Sequence, residues 1–250
     1  MDEVLAAPAA SKPAYEGLLP LEVSGLSYTV NGTALINDID LALHDAGITV
    51  LMGPNGAGKS VLLRLLHGLL VPSGGDISWR GTGSNKATRK RQALVFQRPV
   101  LLRRSVIANV EFAIKLGSHK DVPDATTLLS KVGLANRASQ PARQLSGGEQ
   151  QRLAMSRALA LRPAVLFMDE PTASLDPSSV LAIEQIAKAA NQDGTKIIWV
   201  THDLGQAQRV ADDVIFLHHG RVTEHTEANA FFAAPSSSEA QDYVNGRLVL

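Results

Sequence analysis

An α/β layered fold with a mostly parallel sheet is predicted by three features of the sequence. Short apolar runs rich in β-branched residues recur between turn residues, at 48–52, 93–96, 165–168, 196–200 and 214–217. Continuous rather than alternating apolar character suits strands buried on both faces. Helical stretches lie between them, among them 59–70, 149–161 and 178–191. Strand–helix alternation of this kind builds a parallel sheet with helices on its faces. Third, from Gln97 to Gln144 the strand signal vanishes, and helical patterns at 106–116 and 125–132 mark a helical lobe inserted into the core.

The remaining segments follow in order. Residues 1–20 are Ala/Pro-rich and read as a disordered leader, lacking the basic and apolar regions of a secretory signal. Residues 21–43 read as β-rich structure flanking the first parallel strand. Beyond Gly220 the chain turns polar and Ala/Ser-rich, a tail too small for another domain. Residues 21–250 therefore form one domain, long enough for a sizeable core.

Composition narrows the function. The 24 basic residues balance the 24 acidic ones, so no global field recruits nucleic acid or anionic lipid. The local basic run from Lys86 to Arg91, with Arg98, Arg103 and Arg104, is either a solvated face or a partner-binding patch. The absence of cysteine excludes disulfides and thiolate metal sites. No window approaches the roughly 18 consecutive apolar residues of a membrane-spanning helix, so any membrane role comes through a partner.

Residues Gly53, Pro54, Asn55, Gly56, Ala57, Gly58, Lys59 and Ser60 fit the pattern G-x-x-x-x-G-K-[ST] between a strand and a helix. Glycines let the backbone curl so that N–H groups face phosphate oxygens, and the helix N-terminus adds favourable partial charge. Lys59 suits the β- and γ-phosphates, and the Ser60 hydroxyl suits Mg²⁺. A second apolar strand ends in Asp169 and Glu170. At the carboxyl edge of a parallel sheet this pair lies beside the triphosphate. Asp169 would hold the metal, and Glu170 would accept a proton from attacking water.

Leu145-Ser-Gly-Gly-Glu-Gln-Gln-Arg152, lying between these motifs, resembles the signature of ATP-binding-cassette ATPases. The resemblance extends over nearly the whole chain from Leu21. It implies a P-loop NTPase core with an N-terminal antiparallel β subdomain and a helical subdomain over about 97–160. Several site residues follow from it. Gln97 matches the glutamine that joins metal and attacking water to the helical lobe, and His202 the histidine that contacts the γ-phosphate. Asp176, in Ser174-Leu-Asp176, matches the loop that crosses the dimer interface. Tyr28 either stacks on adenine or simply packs. Val61 stands where many members carry a second hydroxyl after Ser60, and Glu149 replaces a common glutamine.

In the family Ser146, Gly147 and Gly148 bind the γ-phosphate of ATP held by a second copy, so two ATP molecules lie sandwiched in a symmetric homodimer. The implied role is the ATPase subunit of a multi-subunit transporter with ATP and Mg²⁺ as cofactors. It would be held at the cytoplasmic face of the membrane by separate permease chains and served indirectly by a solute-binding protein. Coupling would pass through 98–110, in which Val100–Leu102 is either lobe core or a permease contact. VFQRPVLLRRSV and GKSVLLRLLHGLL are similar to ATPases of tungstate importers, which implies import of a tungstate-like oxyanion. An exporter subunit or a soluble non-transport cassette ATPase are the alternatives.

Overall fold

The computed structural model describes residues 18–44, 47–117 and 122–247. Two long antiparallel strands come first, β1 (Leu21–Val30) and β2 (Thr33–Leu43). Asn31 and Gly32 between them both take positive φ, as a two-residue hairpin requires. Strand β3 (Ile48–Met52) then leads through the glycine-rich loop into helix α1 (Lys59–His67). Gly68, at φ 80°, ends α1 by donating to the carbonyls of Arg64 and Leu65. The helix therefore stops before residue 70, where its apolar pattern gives out.

Strand β4 (Gly74–Trp79) returns to β1 with β5 (Thr82–Gly83) on its outer side, and a one-turn helix α2 (Lys86–Arg89) precedes β6 (Gln92–Val95). Three helices follow: α3 (Val106–Leu116), α4 (Ala125–Lys131) and α5 (Gly147–Leu159). The side chains of Ser105, Asp124 and Ser146 cap their N-termini. Strict alternation then resumes with β7 (Val165–Asp169), α6 (Pro177–Gln192), β8 (Lys196–Val200), α7 (Leu204–Val210) and β9 (Asp213–His218). The chain closes with β10 (Arg221–Glu227), α8 (Ala228–Ala233) and α9 (Ser238–Val244).

The larger sheet runs β10-β9-β3-β8-β7-β6, parallel throughout except for its antiparallel edge β10. Every residue of β3, β7 and β8 is buried, which explains their largely apolar runs. Alternate side chains feed two cores. Val50, Met52, Met168 and Trp199 face the helical lobe and the later helices, while Leu51, Phe167, Ile198 and Val200 face α1 and the antiparallel sheet β2-β1-β4-β5. Helices α3 to α5 intervene in sequence between β6 and β7, which are direct neighbours in the sheet.

Two segments differ from their sequence reading. The residues after Gly220 are no loose tail: they form β10, α8 and α9, and Ala228, Phe231 and Ala240 are buried in the main core. Their polarity reflects an edge strand and two short helices that each bury few side chains. Leu18, within the stretch read as a leader, is buried against the antiparallel side, while residues 1–17 lie outside the described residues. Among the described residues no helix is long and apolar enough to cross a membrane.

Candidate active site

Sheet order brings the motifs together. In β3-β8-β7 the residues Leu51, Val200 and Asp169 lie at one level. The phosphate loop, His202 and the Asp169–Glu170 pair therefore leave the carboxyl ends of three adjacent strands. Gln97 leaves the fourth, β6, two residues past its end.

The loop is shaped by contacts that only glycine allows. Gly53, at φ 138°, sits so close to β9 that a β-carbon would lie 2.0 Å from the Leu217 carbonyl oxygen. Gly58, at φ 102°, turns the chain into α1. Gly220 donates to the Ala57 carbonyl at 3.0 Å, so the β9–β10 turn braces the loop from below. Pro54 is half-buried, Asn55 and Gly56 are exposed, and Val61 packs against the core beneath α1.

Lys59 is buried, its Nζ donating to the carbonyls of Gly53 at 2.7 Å and Pro54 at 2.9 Å. Burial holds its pKa below the ordinary lysine value, and the Glu170 and Asp169 carboxylates partly counter this. The amine is held by neutral carbonyls beside two acids, poised to exchange partners when an anion enters.

Ser60 donates its hydroxyl to Asp169 Oδ1 at 2.6 Å, and Arg64 reaches Asp169 Oδ2 at 3.2 Å. Ser60 and Arg64 are four residues apart on one face of α1. The sequence reading missed Arg64, whose only local signal is that spacing. Ser60 Oγ and Asp169 Oδ1 are hard oxygen donors of the kind Mg²⁺ prefers. Among the described residues no three or more His, Cys, Asp or Glu are grouped so as to hold a metal ion by themselves. Such an ion would thus complete its shell from phosphate and water, as Mg²⁺ ordinarily does.

Glu170 adopts φ 45°, a left-handed conformation that costs about 1–3 kcal/mol for such a residue. Its N–H is fixed to the Val200 carbonyl at 3.0 Å, and its Oε1 lies 3.3 Å from His202 Nδ1. Behind His202, Asp203 caps α7 through Gln206, and Gln206 spans Thr172 and the buried Glu184. Arg209 pairs with that same Glu184 at 2.7 Å.

A second cluster is built on two helix N-termini. Ser146 and Glu149 cap α5 reciprocally, and Asp176 caps α6 by accepting from Ser178 and Ser179. Those hydrogen bonds hold the Asp176 carboxyl well below the ordinary carboxylate range. The two helix starts interlock: a β-carbon on Gly148 would meet Ser179 Oγ at 2.1 Å. Ser146, Gly147 and Asp176 all face solvent.

Among the described residues, Gln97 and Tyr28 are not tied by hydrogen bonds to the clustered residues Lys59, Ser60, Asp169 and Glu170. Gln97 is exposed, but its loop is pinned to α5 by Gln151, which donates to the Phe96 carbonyl at 3.0 Å, and by Arg157, which donates to that of Val100 at 2.6 Å. Val100 is 75% exposed, whereas Leu101 packs on the lobe core. Tyr28 is half-buried against the antiparallel-side core.

A parallel sheet with this loop at its carboxyl edge defines a P-loop, nucleoside-triphosphate-binding ATPase fold. The family model for ABC transporters matches residues 36–173, and the chain belongs to that family of ATP-binding ATPases. It is 37% identical over 248 residues to the phosphate import ATP-binding protein PstB 2 of Natronomonas pharaonis, covering 92% of this chain and 87% of the relative. It is equally 37% identical over 218 residues to the tungstate uptake system ATP-binding protein TupC of Peptoclostridium acidaminophilum, covering 86% and 100%. Its fold matches the dimeric structure of a post-hydrolysis state of an ATP-binding cassette bound to ADP and Pi. That match has a TM-score of 0.74 and 26% identity, over 83% of this chain and 98% of the other.

Proposed function

We propose that this chain is the ATP-hydrolysing subunit of a multi-subunit importer, acting as an ATP-sandwich homodimer beneath separate permease chains. The observation that carries this reading is the presence of two half-sites on one chain. One is the cradle of Lys59, Ser60, Asp169, Glu170 and His202 on adjacent strand ends. The other is the pair of helix starts at Ser146–Gly148 and Asp176, where Ser146, Gly147 and Asp176 face solvent.

On this reading each residue takes the following role. The backbone from Gly53 to Val61, through Pro54, Asn55, Gly56, Ala57 and Gly58, wraps the phosphates, and Lys59 exchanges its two carbonyls for β- and γ-phosphate oxygens. Ser60 and Asp169, joined by Gln97, would hold Mg²⁺, which would offset the charge on the phosphate oxygens. Glu170 takes a proton from the attacking water, His202 steadies Glu170 and the γ-phosphate, and Tyr28 stacks on adenine. Ser146, Gly147 and Gly148 supply a hydroxyl, N–H groups and a helix N-terminus to ATP on the second copy, with Asp176 lining that interface. Closure satisfies both half-sites, and loss of the γ-phosphate removes that preference and reopens the dimer.

An open groove of about 420 Å³ beside Gln97 supports a permease contact; Val100, Leu102, Phe112 and Leu116 line it, and Val100 and Leu116 are largely exposed. The phosphate and tungstate relatives support a tetrahedral oxyanion as solute, and the 95–106 segment favours a tungstate-like one. The subunit would sit at the cytoplasmic face, with a solute-binding protein serving the permease from the other side. Tagged protein from gently solubilised host membranes is expected to bring a polytopic permease, and that complex to take up tungstate. Recovery of ribosomal or other soluble partners alone overturns the transport reading. Uptake of phosphate instead changes only the solute.

Ser146→Arg tests the shared site. The added guanidinium projects from an exposed helix start, so nucleotide binding to the monomer stays intact while ATP-dependent dimerisation and turnover are lost. Size-exclusion chromatography with ATP reads the first and phosphate release the second. Normal turnover in this variant would contradict action on a second copy's ATP.

A further inference from the structure

We propose that Tyr243, on the C-terminal helix α9, is a positioning residue for hydrolysis that holds the His202 loop in register with Glu170. The inference rests on the role assigned above to His202.

The His202 side chain is 57% exposed, and its polar contact is with Glu170. Packing alone therefore does not orient the imidazole, and its place depends on the backbone that carries it. That backbone has an internal tie, Asp203 N–H to Thr201 Oγ1 at 3.1 Å. It also has one from a distant element: the Tyr243 hydroxyl donates to the His202 carbonyl at 3.2 Å, across 41 residues of chain.

Tyr243 is itself well anchored. Its ring meets Phe216 edge-on at 5.2 Å between centroids, a favourable aromatic geometry. Phe216 is the register partner of Met52, the last β3 residue before the phosphate loop. Helix α9 is fastened at its start by Glu224 of β10, a buried carboxylate that accepts from the N–H groups of Ser236 and Ser237 and from the Ser237 hydroxyl at 3.0–3.1 Å. Ala240, one turn before Tyr243, is fully buried. Burial and the nearby Glu170 and Asp203 carboxylates push the Tyr243 phenol up, so it remains a protonated donor. A strut thus runs from the core to the carbonyl of His202, whose ring meets Glu170.

The test is Tyr243→Phe in the full chain, assayed for ATP hydrolysis at concentrations that support ATP-dependent dimers, with His202→Ala alongside. Phenylalanine keeps the ring on Phe216 and removes only the hydroxyl. The expected result is a fall in kcat of about three- to tenfold, the range one neutral hydrogen bond spans, with KM for ATP unchanged. A residue serving only to seat α9 would instead lower Tm and leave kcat of the folded enzyme intact. Normal kcat in Tyr243→Phe, with His202→Ala inactive, overturns this inference and leaves the reading of His202 standing. Normal kcat in His202→Ala overturns both.

Discussion

Glu170→Gln is expected to cut ATP turnover at least about 100-fold while ATP still drives the chain into a stable dimer. The magnitude is that of removing a general base. The amide has the size of the carboxylate and can still meet His202 Nδ1, which lies 3.3 Å from Glu170 Oε1 in the native protein. The backbone N–H bond to Val200 that fixes the residue is untouched. Lys59, Ser60 and Asp169 keep their partners, so phosphate binding persists. What disappears is an acceptor for the proton of the attacking water. Loss of one negative charge beside the γ-phosphate also favours the ATP-bound state. Phosphate release measures the first effect, and size-exclusion chromatography with ATP and Mg²⁺ the second. Turnover within a few-fold of normal would remove Glu170 from the role of base.

Much of this site was legible because its chemistry is written in contiguous motifs at the ends of strands buried on both faces. The five-residue runs β3, β7 and β8 have no exposed position, so each registers as an apolar block, and the residue that follows it can be named at once. Strand β10 shows the converse. One of its seven residues, Glu224, is buried, and that residue is a carboxylate, so neither apolar content nor alternation announces a strand. The segment looked like a tail for that reason. β4 is similar, with Ile77 and Trp79 buried among polar neighbours.

Contacts that depend on folding were not legible. Arg64 meets Asp169 across 105 residues, and Tyr243 meets His202 across 41. Neither spacing follows from local periodicity, because each depends on which strands are neighbours in the sheet. The same holds for the cradle as a whole. Its members are separated by a helical lobe in sequence, and the order β3-β8-β7-β6 is what reunites them.

Lys59→Ala should abolish the stabilisation that ATP confers while changing the nucleotide-free protein little. Two opposing terms decide the second point. The variant loses two charge-assisted hydrogen bonds to the Gly53 and Pro54 carbonyls, about 1.5–3 kcal/mol each. It also no longer buries a cation, a relief of several kcal/mol; the lowered pKa of Lys59, caused first by burial, has the sign such a cost requires. The terms are comparable, so Tm without nucleotide should stay near that of the native chain. With ATP no cancellation occurs. At 100 times its Kd, ATP stabilises the native chain by about 2.7 kcal/mol, which for a domain of this size is roughly 5–10 °C of Tm. The variant would offer the phosphates only backbone N–H groups and a helix end, without the amine proposed to meet the β,γ oxygens. Its ATP-induced shift at the same concentration should fall to near zero. Thermal melts of both proteins, with and without ATP, separate the binding effect from the folding effect. A variant that retained the full ATP shift would show that the buried amine is a structural tie of the loop rather than its phosphate ligand.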